Sequence, residues 1–244
     1  ILCTCVILTA LSAALPASAA APYEVAVQTD VMVPMRDGVQ LATDVYLPAR
    51  DGRPIGERLP TILERRPYNK DGCGSSGKYY ASHGYAFVAQ DTRGRYKSEG
   101  VWHMLTDDGP DGADAAAWIA AQPWSDGKIG MIGTSYVGGT QHAMAMEKVP
   151  QLVTVIPVDA MSNLGYASMR NGGAFELRFW NWIMFTSPKG SRASRDPGTQ
   201  AVLQEMSDNR RLYLNNLPLR RGTTPLKLAS ECEDWLVDAM KRGA

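Results

Sequence analysis

Gly127-Lys128-Ile129-Gly130-Met131-Ile132-Gly133-Thr134-Ser135-Tyr136-Val137-Gly138-Gly139-Thr140-Gln141-His142 decides the fold. The short apolar run 129–132 reads as a buried strand. It breaks at Gly133-Thr134-Ser135 and passes into a segment able to form a helix through Ala143, Met144 and Met146. A serine between a strand and a helix, among small residues, is an arrangement that exposes a nucleophilic hydroxyl at the top of a sheet. Gly133 would let backbones approach closely, and the helix start leaves free N–H groups for an oxyanion. The five-residue form G-x-S-x-G is not met, because position 137 is Val and the next glycine is Gly138. Taken alone, the motif leaves a nucleophile and an ordinary turn both open.

Working outward, the chain alternates strands and helices. The stretch 25–33 reads as a strand, Asp37-Gly38 as a turn, and 40–47 as a second, half-buried strand with Leu41, Thr43, Val45 and Leu47 on alternate positions. Together they predict an antiparallel hairpin. Residues 48–60 read as a loop, and 61–65 as a strand stopped by Pro67. A helix over 76–82, a strand over 85–90, a helix over 110–121 with Trp118 and Ile119 facing in, the serine strand, and a strand over 152–158 follow. That last strand is apolar throughout, as in a parallel sheet covered on both faces. The order is α/β and doubly wound: a mostly parallel sheet with helices on both faces.

After Asp159 the character changes. Residues 161–185 are rich in Gly, Met and aromatics, with Tyr166, Phe175, Phe179, Trp180 and Trp182, and read as helical. A polar loop over 187–199 precedes helical periodicity over 201–214 and 230–241, the two joined by the Pro-bearing stretch 215–229. This predicts a wholly helical cap over the serine, with Phe175, Phe179, Trp180 and Trp182 as candidate pocket residues or as plain helix core. The divisions are therefore 1–20, 21–160 for the N-terminal part of the α/β domain, and 161–244 for the cap.

Composition sets outer bounds. The chain has 244 residues, 45% hydrophobic and 20% charged, enough for a sizeable core. Lys+Arg and Asp+Glu are 25 each, which speaks against a basic nucleic-acid groove or an acidic tail. Six Trp and ten Tyr against four Phe lean toward a polar-edged cleft. Residues 1–20 are apolar and small, and Ala17-Ser18-Ala19 has the spacing of a signal-peptidase site, with a cut after Ala19, Ala20 or Ala21. The expected location is secreted or periplasmic, with no integral membrane segment. Cys3 and Cys5 would leave with the leader; Cys73 and Cys232 would remain, bridged or free.

Gly72, Gly74 and Gly77 satisfy G-x-G-x-x-G, and Asp91 lies 19 residues beyond Gly72 at a strand end. The glycines, however, do not follow their strand directly, and Tyr79 stands where a phosphate loop needs a hydroxyl for magnesium. A flexible loop before the helix is the preferred reading, and no cofactor is expected. Asp91, Arg93 and Glu99 read as a network pinning loops. His83, His103 and His142 are the only histidines. His142 is seven residues past Ser135 on the same helix, about 10 Å along its axis, and cannot reach it. Scattered His and Cys give no metal site.

Four stretches carry a resemblance. They are Met35-Arg36-Asp37-Gly38 with Asp44-Val45-Tyr46; Arg66-Pro67-Tyr68-Asn69-Lys70; Gln90-Asp91-Thr92-Arg93-Gly94 with Ser98-Glu99-Gly100; and Trp124-Ser125-Asp126-Gly127-Lys128-Ile129-Gly130 running into Gly133-Thr134-Ser135-Tyr136-Val137-Gly138. In order and spacing these resemble the α/β-hydrolases grouped with Xaa-Pro dipeptidyl-peptidase, cocaine esterase and the α-amino acid ester hydrolases, strongly over 27–145 and more loosely over the cap. The elbow of that family is G-x-S-Y-x-G, which accommodates Val137. The resemblance implies Ser135 as nucleophile, with the Tyr68 hydroxyl and the Tyr136 backbone N–H as oxyanion hole. Gly133, Gly138, Asp91, Arg93 and Glu99 would be structural around it. It implies a serine esterase or peptidase acting on a small-molecule ester or short peptide. For a peptidase, Glu176 and Asp159 are candidate anchors for a free amino terminus, although surface or capping roles are the preferred reading of both. The family places its Asp and His after the cap, so the chain reads as part of a longer one, with low or no turnover by itself. A non-catalytic member, a secreted binding protein that only mimics the motif, and a homo-oligomer stay open.

Overall fold

A computed structural model describes residues 22–161 and 168–241. The strands are β1 Glu24–Pro34, β2 Gln40–Arg50, β3 Arg53–Pro54, β4 Leu59–Arg66, β5 Ala86–Asp91, β6 Ser125–Thr134 and β7 Leu152–Val158. They form one sheet in the order β1-β2-β5-β4-β6-β7, with β3 paired to β2. The hairpin β1–β2 is antiparallel and closes at Asp37-Gly38, where Met35 N donates to Val39 O at 2.8 Å. From β5 through β4 and β6 to β7 all pairings are parallel. The sheet is thus mixed at its β1 end and parallel where the serine lies.

Helices α1 Gly74–Ser82, α2 Asp108–Ala120 and α3 Tyr136–Met146 flank it. On one face α2 and α3 bury Ile119, Ala116 and Met144 against Leu63, Val88, Ile129 and Met131. On the other, α1 covers only part of the sheet, packing Ala81 near Tyr46 and Phe87. Here Gly77 has a use in packing: a Cβ on it would meet the Tyr46 ring at 2.7 Å. The expected flexible loop before α1 is instead a 3-10 turn, Lys70–Cys73, running straight into the helix. Its Lys70 ammonium is fully buried among Asp30, Asp44 and Asp71, at 2.6, 2.7 and 2.9 Å.

Three expectations need correction. β7 is not covered on both faces: Val153, Ile156 and Val158 are exposed, and an apolar cleft of about 330 Å³ opens over Ile62, Gly130, Ile132 and Ile156. The cap is not wholly helical. A two-stranded hairpin, β8 Arg170–Asn171 and β9 Ala174–Phe175, turns at Gly172-Gly173 before α4 Leu177–Thr186 begins. α5 Pro197–Asp208 starts inside the expected loop, because Asp196 caps it and Pro197 suits its first turn. α6 Ser230–Lys241 lies where the periodicity put it.

Cys73 and Cys232 are both free and buried in separate clusters, Cys73 under α1 and Cys232 in the cap core. Burial pushes both thiols up to about 12. No helix among the described residues is long and apolar enough to cross a membrane. The stretch 1–20, expected to be a leader, and Tyr166 lie outside the described residues.

Candidate active site

Ser135 occupies the turn between β6 and α3 with φ 62° and ψ −122°, a left-handed conformation that only a strained turn imposes on a residue with a Cβ. The strain has visible partners. Ser135 N donates to Val158 O at 2.9 Å, and Ser135 O accepts from Gly138 N and Gly139 N at 2.9 and 3.0 Å. Gly133 makes the turn possible, since a Cβ there would lie 2.2 Å from Val137 Cγ1. At Gly138 a Cβ would lie 2.4 Å from that of Ala160. The result is an exposed serine at the start of a helix whose first amide, Tyr136 N–H, has no acceptor within the helix.

Tyr68 approaches from the loop after β4. Its ring meets that of Tyr136 edge-on at 6.4 Å. Tyr68 lines the same cleft as Ser135 and Trp182. Burial raises the phenol above its usual range, more than Ser135, Trp182 and Arg95 lower it, so Tyr68 stays a neutral donor at neutral pH. The Tyr136 side chain plays no part at the surface. Its hydroxyl donates to Asp108 Oδ2 at 2.7 Å and accepts from Leu105 N at 3.0 Å and Trp102 Nε1 at 3.2 Å. That buried network fixes the helix start from below. Trp102 and Asp108 carry no motif of their own, so sequence reasoning missed them.

Ser135, Tyr68 and Tyr136 open onto one cleft of about 380 Å³ that the cap roofs with Phe179 and Trp182. Of the four aromatics expected there, only these two line it. Trp180 points the other way, fully buried in the cap core, and Phe175 packs against that core. Successive positions along a helix face different directions, so residues 180 and 182 cannot share one wall. Trp182 also stacks on Tyr136 at 6.2 Å. Asp159 lines the cleft with Arg178, whereas Glu176 is engaged by Arg178 Nε at 2.5 Å.

The loop after β5 is pinned, but not as one Asp–Arg–Glu network. Asp91 accepts from Lys70 N at 2.7 Å and, more weakly, from Lys97 N at 3.4 Å. Arg93 bridges Asp37 and Asp111, and Glu99 accepts from Gln40 N at 3.1 Å. Each charge ties the loop to a different element. The histidines stand apart from the serine: His83 Nδ1 meets Tyr79 O, His103 pairs with Asp107, and His142 Nδ1 lies 3.2 Å from Met161 O. Among the described residues no group of three or more His, Cys, Asp or Glu is placed to hold a metal ion.

Comparison with known proteins follows the same lines. The model for X-Pro dipeptidyl-peptidases of the S15 family matches residues 37–240. A cocaine esterase from Rhodococcus sp. is 34% identical over 226 residues, covering 87% of this chain and 38% of its own. Among solved structures, an aminopeptidase from a marine sediment Thaumarchaeota archaeon superposes with a TM-score of 0.58 at 26% identity, over 69% of this chain and 31% of that one. A CocE/NonD family hydrolase from Staphylococcus aureus gives 0.57 at 25% identity, over 64% and 32%. The chain thus spans well under half the length of each of these relatives.

Proposed function

The chain belongs to the X-Pro dipeptidyl-peptidase (S15) family, and from that membership we propose that Ser135 is the nucleophile of a serine hydrolase cleaving an ester or amide. The observation that carries the reading is the meeting of a strained, exposed serine with the Tyr68 hydroxyl and the Tyr136 amide on one cleft. In the reaction, Ser135 Oγ bonds to the carbonyl carbon, and its proton passes to a base and then to the leaving alcohol or amine as that bond breaks. Tyr68 O–H and Tyr136 N–H donate to the oxyanion. Water then attacks the acyl-enzyme and releases the acid. A neutral phenol suits the task, because it gains as negative charge develops without binding a charge in the ground state.

The substrate class is a small ester or short peptide with an apolar group against Phe179 and Trp182. Asp159 is the cleft carboxylate available to a substrate amine. The apolar stretch 1–20, ending in Ala17-Ser18-Ala19, supports a secreted or periplasmic location. A second reading, a ligand-binding protein whose serine does no chemistry, draws on one observation: among the described residues none of the three histidines bonds to Ser135.

A fluorophosphonate probe followed by intact-mass measurement separates the two. The hydrolase reading expects an adduct on Ser135, absent in Ser135→Ala and formed about 100-fold more slowly in Tyr68→Phe, the usual loss for one oxyanion donor. An unmodified Ser135 after prolonged exposure rejects the nucleophile and leaves the binding protein. Added imidazole belongs in every arm, since it supplies a base from solution.

A further inference from the structure

Arg95 is 3% exposed, and among the described residues it forms no salt bridge. A buried cation without a carboxylate is expensive to keep, and an apolar side chain would fill the same space at less cost. What it holds are three carbonyls from two distant parts of the chain. Arg95 Nε donates to Pro67 O at 3.3 Å, and Nη2 donates to Thr186 O at 3.2 Å and to Lys189 O. Its guanidinium also lies over the rings of Tyr96 and Trp102, at 5.7 and 5.8 Å.

The acceptors are informative. Thr186 ends α4 and Lys189 lies just beyond, where the carbonyls carry the negative end of the helix dipole; Thr186 O also accepts from Lys189 N at 3.0 Å and has a second lone pair for Arg95. That helix brings Phe179 and Trp182 to the cleft. Pro67 is the residue before Tyr68. One side chain therefore joins the roof of the cleft to the phenol beneath it. The neighbouring contacts follow the same seam: Tyr96 N donates to Gly190 O at 2.8 Å, and Arg195 donates to Tyr96 O and Ser98 O, both at 2.9 Å.

We propose that Arg95 is a positioning residue that locks the C-terminal end of α4 to the Pro67-Tyr68 segment, so that seating the cap and aiming the Tyr68 hydroxyl are one event. The proposal rests on the reading of Ser135 and Tyr68 as chemical partners, but its mechanical half stands on the three carbonyl bonds. The charge adds a second effect, since its field favours negative charge at the Tyr68 oxygen.

The test uses Arg95→Met, which keeps the bulk, and Arg95→Lys, which keeps the charge but not the forked reach. Amide hydrogen exchange is followed over 68–73 and 183–190. In Arg95→Met both segments exchange faster together, by about tenfold, and labelling of Ser135 by the fluorophosphonate slows by about tenfold or more. In Arg95→Ala, added guanidinium chloride restores part of the labelling rate, which a side chain that merely fills space would not allow. If Arg95→Met does not fold, Arg95→Lys is read by the same two segments. Faster exchange in only one segment, or in neither, overturns the coupling. Should the unaltered protein itself resist labelling, the hydrolase reading falls, while the exchange result still judges the lock.

Discussion

At Ser135 the backbone is held at φ 62°, ψ −122°, where an L side chain costs about 1–3 kcal/mol and glycine almost nothing. Nothing in a helix start requires this, because an ordinary N-cap sits in the extended region. The strain is maintained by the bond to Val158 O and the packing at Gly133. It follows that Ser135→Gly is more stable than Ser135→Ala by about 1 kcal/mol, although the two lose the same hydroxyl. Urea denaturation of the pair measures it, and equal midpoints would show that the turn is relaxed. At this scale the sequence was informative where a residue's type is its function. Ser135, Gly133 and Tyr68 could be singled out from the chain. Arg95 could not, since Arg93 beside it in Arg93-Gly94-Arg95 has the same chemistry, and only the fold shows which one turns inward.

Among the elements, β7 departs most from its reading. An all-apolar strand was expected to be buried on both faces, yet Val153 is 60% exposed and Ile156 53%. β7 ends the sheet order among the described residues, so its outer backbone groups have no strand partner there, and the apolar side chains standing off its faces are left uncovered beside them. Exposed, apolar edge strands template pairing with a second copy. The 244-residue chain is therefore expected to self-associate at micromolar concentration, and the double change Val153→Lys, Ile156→Lys to shift it toward monomer in sedimentation velocity. A variant that sediments unchanged would locate the association elsewhere, or show there is none through β7. The cap was legible in part. The period of 230–241 is that of a surface helix and gave α6 directly. The β8–β9 hairpin was hidden because two-residue strands are too short to alternate, although Asn171-Gly172-Gly173 carried a turn signal. The choice of Trp182 over Trp180 as cleft residue depends on helix rotation, which a ten-residue apolar segment does not encode.

Over the whole molecule the charges balance at 25 and 25, so near neutrality stability follows individual carboxylates rather than net repulsion. Two groups pull in opposite directions. Hydrogen bonds from Lys70 and Lys97 hold Asp30 below its ordinary value, and Arg93 does the same for Asp37. Their stabilisation is present above about pH 4 and is lost as acid protonates them. Asp91 moves the other way: it is fully buried, and desolvation raises it from 3.8 to about 6, against the amides of Lys70 and Lys97. Asp108 is also raised, by burial first, with Arg65 opposing. For a raised carboxyl the folded state favours the proton, so the stability is full below pH 4 and is lost as the pH climbs through about 6. The urea midpoint should thus peak near pH 4 to 5 and fall toward pH 7, with Asp91 contributing up to roughly 3 kcal/mol of the decline. Asp91→Asn keeps an acceptor for Lys70 N but has no proton to lose. Its midpoint should fall less steeply from pH 5 to 7, Asp108 accounting for the decline that remains, and exceed that of the unaltered protein at pH 7. Parallel declines in the two proteins would mean that Asp91 is ionised throughout, its charge already met by the amides and the Lys70 ammonium.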